Sequence, residues 1–67
     1  MSKMTIPDLQ DAIYVHLADG NMFESQLADE LGCPLADVLM AVVYLRRGGW
    51  VEITNASNND CLVRRVR

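Results

Sequence analysis

Leu45-Arg46-Arg47-Gly48-Gly49-Trp50-Val51-Glu52-Ile53-Thr54 is the stretch whose reading decides how this chain folds. On its N-terminal side, apolar residues recur three and four apart, so that Val38, Ala41, Val42 and Leu45 share one face of a helix. On its C-terminal side the period falls to two, with Val51 and Ile53 on one face of a strand. Gly48-Gly49 lies where the period changes, which is where a helix stops most readily. The spacing predicts a helix over about residues 35–47, opened by Pro34, and a strand over about 50–54.

Upstream, Thr5-Ile6-Pro7-Asp8 is a helix start: Thr5 can cap, Pro7 tolerates the first turn, and Asp8 sits near the positive end of the helix dipole. Leu9, Ala12, Ile13 and Leu17 then mark one face of a helix over about 6–19, which Asp19-Gly20-Asn21 stops. A second, shorter helix over about 24–31 turns Leu27, Ala28 and Leu31 inward, and Gly32 ends it where a left-handed backbone is needed. Downstream, Asn55-Ala56-Ser57-Asn58-Asn59-Asp60 has turn composition, and a returning strand is expected over about 61–66 with faces that its ragged alternation leaves unassigned. The expected class is α+β, three helices followed by a C-terminal hairpin, in a single domain spanning 1–67.

The whole chain has 67 residues, 51% of them apolar and 22% charged. A domain of this length buries only about 60% of its unfolded surface, which disfavours a deep two-lobed catalytic cleft. The apolar fraction argues against a disordered tail, and two cysteines are too few for a disulfide-built scaffold. No window approaches the roughly 18 unbroken apolar residues of a membrane span, and the first twenty residues lack a signal-peptide apolar run. A cytoplasmic protein without membrane attachment is expected. The net charge of −3 is unevenly placed. Seven acids and no Lys or Arg lie between Asp8 and Asp37, whereas five arginines against Glu52 and Asp60 lie from Arg46 onward. Such asymmetry points to complementary surfaces or to an anion-binding edge.

Ile13, Leu17, Gly20, Leu27-Ala28, Leu31-Gly32, Val38, Leu45, Gly49 and Val51 together resemble the winged helix-turn-helix family over about residues 8–66. In that likeness Ala28 lets two helices approach, Gly32 makes the tight turn, and Val38 locks the third helix on the second. The resemblance implies a winged-helix fold, a DNA-associated transcription regulator acting as a dimer, a third helix that enters the major groove and a hairpin wing on the backbone. It also implies phosphate contacts from Arg46, Arg47, Arg64, Arg65 and Arg67. Against these the bland reading is a solvated edge that deters strand addition or pairs with the acidic front half.

A groove-reading third helix should carry Arg, Asn, Gln, Ser or Thr on its outer face. Placed at 100° steps, that face instead holds Ala36, Met40, Val43 and Arg47, flanked by Leu39, Asp37 and Tyr44. Asp37 at the helix start would repel phosphate, and the 55–60 loop has no Lys or Arg to enter a minor groove. A protein interface over Ala36, Leu39, Met40, Val43 and Tyr44 is the alternative, with a second copy or another protein as partner. The simplest reading is that a small apolar-rich chain leaves these groups exposed.

No catalytic motif stands out. His16 falls beside the Leu9/Ile13 stripe and reads as a boundary residue, and there is no Gly-rich phosphate loop or trustworthy Ser/His/Asp spacing. Cys33, Cys61 and His16 together are one short of a four-ligand zinc site. Some small winged-helix proteins carry a cysteine-rich wing for an iron–sulfur cluster, but the wing here has Cys61 alone. Neither an enzyme, a cofactor, a metal nor a small-molecule substrate is expected.

Overall fold

Thr5 begins the first helix as its sequence anticipates. The residue is extended (φ −71°, ψ 163°), and its hydroxyl accepts a hydrogen bond from the Asp8 amide at 3.4 Å. The computed structural model describes residues 5–55 and 60–67. Helix α1 (Ile6–His16) buries Leu9 and Ile13, then tightens into a 3₁₀ turn over Leu17–Asp19 that keeps Leu17 in the core. The expected helix to residue 19 is therefore α-helical only to His16. Its last turn winds more tightly ahead of the Asp19-Gly20-Asn21 stop.

Helices α2 (Glu24–Leu31) and α3 (Leu35–Arg47) end in the same way. After α2, Gly32 takes the left-handed conformation (φ 64°), its amide bonds to the Asp29 carbonyl at 3.3 Å and the Cys33 amide to the Ala28 carbonyl at 3.1 Å. After α3, Gly49 does the same (φ 76°), with Gly49 to Arg46 at 3.0 Å and Trp50 to Leu45 at 3.0 Å. Each is a Schellman closure, which reverses the chain and satisfies carbonyls the helix leaves open. Between the two helices, the Pro34 carbonyl accepts from the Asp37 and Val38 amides at 3.1 and 3.3 Å and opens α3.

The sheet has three antiparallel strands rather than the two of a simple hairpin. Met22–Phe23 forms a short β1, Val51–Asn55 forms β2 and Cys61–Arg65 forms β3, in the order β1-β3-β2. The strand β1 was not anticipated, because two residues between a turn and a helix carry no periodicity. Strand β2 starts one residue later than expected, because Trp50 belongs to the Schellman closure. Strand β3 ends at Arg65 rather than 66, although the Val66 amide still reaches the Trp50 carbonyl at 2.9 Å. The expected turn after β2 falls on residues 56–59, which lie outside the described residues.

Register explains why the last strand looked ragged in sequence. Val51 faces Arg65, Glu52 faces Arg64, and Ile53 faces Val63, which also faces Met22 across the other edge. Cross-strand partners share a face, so Cys61, Val63 and Arg65 occupy the inner positions and Leu62 and Arg64 the outer ones. An arginine at an inner position and a leucine at an outer one blur the alternation. The core is then continuous: Leu9, Ile13 and Leu17 meet Leu27 and Ala28, the Val38/Ala41/Val42/Leu45 face of α3, and Val51 and Val63 of the sheet. The core face read from α3 is the face the structure buries. Three helices followed by an antiparallel hairpin are compatible with a winged-helix layout.

The left-handed Gly32 has open space where a Cβ would stand, so Gly32→Ala costs backbone strain alone. We expect a loss of about 1 kcal/mol, read as a lower urea midpoint with unchanged slope. A midpoint equal to that of the parent would contradict the role given to this turn.

Candidate interaction surface

Burying Val38, Ala41, Val42 and Leu45 fixes which side of α3 meets solvent. Leu35, Leu39, Met40, Val43 and Tyr44 are 46, 40, 49, 43 and 45% exposed, and Ala36 lies exposed among them. The five interface residues expected from the sequence are thus all exposed on one helix. Asp37 is half-buried in the first turn, and Arg46 and Arg47 are exposed in the last. Acid at the N-terminal end and base at the C-terminal end both favour the helix dipole.

The arginines expected to contact phosphate are held in different ways. Arg64, on the outer sheet face, forms an ion pair with its cross-strand neighbour Glu52. Its acidic partner comes from the same hairpin and not from the acidic front half. Arg65, at an inner position, lies over the Tyr14 ring with its guanidinium carbon 3.7 Å from the centroid, and its Nε donates to the Arg67 carbonyl at 2.9 Å. Arg67 lies 4.7 Å from the Trp50 ring centroid. Tyr14 and Trp50 meet edge to face at 5.6 Å and 81°, and the Tyr14 hydroxyl donates to the Arg67 carbonyl. This cluster ties the end of β3 to α1 through cation–π and aromatic contacts. Arg46 borders a shallow groove with Gly49, Val51, Glu52, Ile53 and Val66.

A second cluster joins the base of the hairpin to α2. Phe23, at the N-cap position of α2, offers no side-chain hydrogen bond, and Asp60 supplies one from 35 residues away. Its carboxylate accepts from the Ser25 amide at 3.4 Å and from the Ser25 hydroxyl, and also from the Cys61 amide at 3.0 Å. These bonds, the Ser25 hydroxyl's above all, hold the Asp60 carboxyl below its ordinary range. Beside it Glu24 is buried. Loss of water pushes its carboxyl up, a hydrogen bond from the Cys61 thiol partly offsets that, and the Asp60 charge adds to it. Burial and the two neighbouring acids push the Cys61 thiol up as well, which favours the unreactive protonated form. Cys33 and Cys61 are half-buried and not joined in a disulfide. His16 is half-buried with Nδ1 3.0 Å from the Ala12 carbonyl, the boundary position its spacing indicated.

Sequence reasoning missed Tyr14, Trp50, Glu24 and Asp60. Each acts through a partner distant in the chain, and only the antiparallel register brings these together. Among the described residues, no helix is long and apolar enough to cross a membrane, and no group of three or more His, Cys, Asp or Glu is placed to hold a metal ion. Compared with family models, with curated proteins and with solved structures, the chain has no match.

The two carboxyls act on stability with opposite sign. Glu24 binds its proton more tightly in the folded chain than its ordinary value of 4.5, so stability rises as pH falls from its native value towards 4.5. Asp60 binds its proton less tightly than its ordinary value of 3.8, so its contribution is complete above 3.8 and is lost as pH falls through its native value. Urea midpoints taken across roughly pH 3 to 8 should therefore peak in mild acid. Glu24→Gln should flatten the limb above pH 4.5 and Asp60→Asn the limb below 3.8. Parallel curves for parent and variants would refute this assignment.

Proposed function

We propose that this chain is a small protein-interaction module, without catalysis of its own, that docks through the outer face of α3. The observation that carries the reading is the stripe of exposed Leu35, Leu39, Met40, Val43 and Tyr44 on one helix. Contiguous apolar surface of this kind marks contact sites more often than scattered single residues do. The face offers no base-reading side chain before Tyr44. Of the arginines available for phosphate, Arg64 is paired with Glu52 while Arg65 and Arg67 lie on aromatic rings. Two half-buried thiols that form no disulfide suit a reducing compartment such as the cytoplasm.

A second reading, a winged-helix DNA-associated transcription regulator acting as a dimer, rests on the exposed Arg46 and Arg47 at the end of α3. The two readings separate experimentally. A photo-crosslinking residue at Met40 should trap a protein, its own copy or another. The same residue at Val15, which is 66% exposed on α1, should not. Equal capture at both positions, or none at Met40, defeats the docking reading. Affinity for a mixed-sequence duplex that falls with salt, and whose salt slope drops by about one unit in Arg47→Ala, would transfer the function to DNA.

A further inference from the structure

We infer that the occupant of this face is a second copy of the chain, with α3 packed antiparallel against α3 across a twofold axis. The inference rests on the docking role proposed above and adds the identity of the partner. Its ground is that the exposed face is complementary to itself when reversed. A twofold placed midway between Met40 and Val43 brings Met40 of one copy level with Val43 of the other. It brings the small Ala36 level with the long Arg47, whose guanidinium then comes within one residue's rise of Asp37 of the other copy. Ala36, Leu39, Met40, Val43, Tyr44, Arg46 and Arg47 are all exposed, and Asp37 is half-buried.

Charge fixes the direction. Asp37 is the acid of the first turn and Arg46 and Arg47 the bases of the last. A parallel pair would set acid beside acid and base beside base; an antiparallel pair sets each beside its opposite and also opposes the two helix dipoles. The middle of the face, where the axis passes, is apolar, as the centre of an isologous contact should be. Met40 lies next to the axis, and its unbranched side chain adapts to a copy of the same surface. Thirteen helical residues span about 20 Å. The face of a single helix this short offers on the order of a few hundred Å² per copy, below the roughly 800 Å² of a standard interface. The dimer is accordingly weak and reversible.

Sedimentation equilibrium of the pure chain from roughly 10 µM to 1 mM should show monomer passing to dimer, as expected for a small interface. Met40→Glu, Asp37→Arg, and Arg46→Asp combined with Arg47→Asp should each weaken association at least tenfold, with far-UV circular dichroism reporting that the fold is kept. An equimolar mixture of Asp37→Arg with the double arginine variant should recover the dimer, because each supplies the charge the other lacks. A monomer at 1 mM, a dimer indifferent to Met40→Glu, or a mixture that stays monomeric overturns the inference. If a charge variant loses its helical spectrum, the crosslinker at Met40 in the otherwise unaltered chain decides instead. Attachment near Val43 of a second copy supports the inference. A pure chain that stays uncrosslinked while Met40 captures a different added protein overturns the second copy and leaves the docking role standing. Capture of nothing under either condition removes both.

Discussion

The constraint on which the rest depends is that β3 is hydrogen-bonded along both edges. Strand β2 follows the third helix and β1 precedes the second, and β3 enters between them. Val63, at its centre, faces Ile53 on one side and Met22 on the other and is fully buried beneath the helices. Everything placed on the inner face follows from that register. Cys61 comes to Glu24, and Arg65 comes to Tyr14. A slip of one residue would send Val63 to solvent and Leu62 and Arg64 inward, so the buried valine holds both side-chain clusters in position.

The two surfaces of α3 are products of one pattern. Val38, Ala41, Val42 and Leu45 anchor the helix to α1 and α2, and the remaining apolar residues of the same 13-residue segment are thereby turned outward. A helix that is apolar nearly all round is ordinarily buried on all sides. Here the core covers one side, and the polar groups that solvent would favour on the other are confined to the two ends. Because the core face anchors the helix, the exposed stripe is presented on an already ordered backbone, and association has only its side chains left to order.

The helices were legible in the sequence because their signals are local. Thr5 caps within three residues, Gly32 and Gly49 close turns within five, and the α3 core face repeats within one segment. The exposed stripe was legible for the same reason, being the complement of that face. What could not be read was non-local. The pairing of Met22–Phe23, the inward course of Arg65, and the cap that Asp60 gives to α2 exist only once strands far apart in the chain have found their register. The Glu52–Arg64 pair belongs between these cases: both residues are on one hairpin, but which arginine faces the glutamate depends on a turn whose length sequence composition does not set.

The non-local cap on α2 bears on how the chain acquires its fold. Eight residues are too few for a helix to persist alone in water. This one lacks a capping side chain at Phe23 until Asp60, 35 positions downstream of the Ser25 amide it binds, arrives with the hairpin. Helix α2 is thus the element least able to form ahead of the rest. Closure of a long loop must precede the bond that secures it, and that raises the entropic barrier. The chain is built so that its α2–α3 half matures together with its sheet.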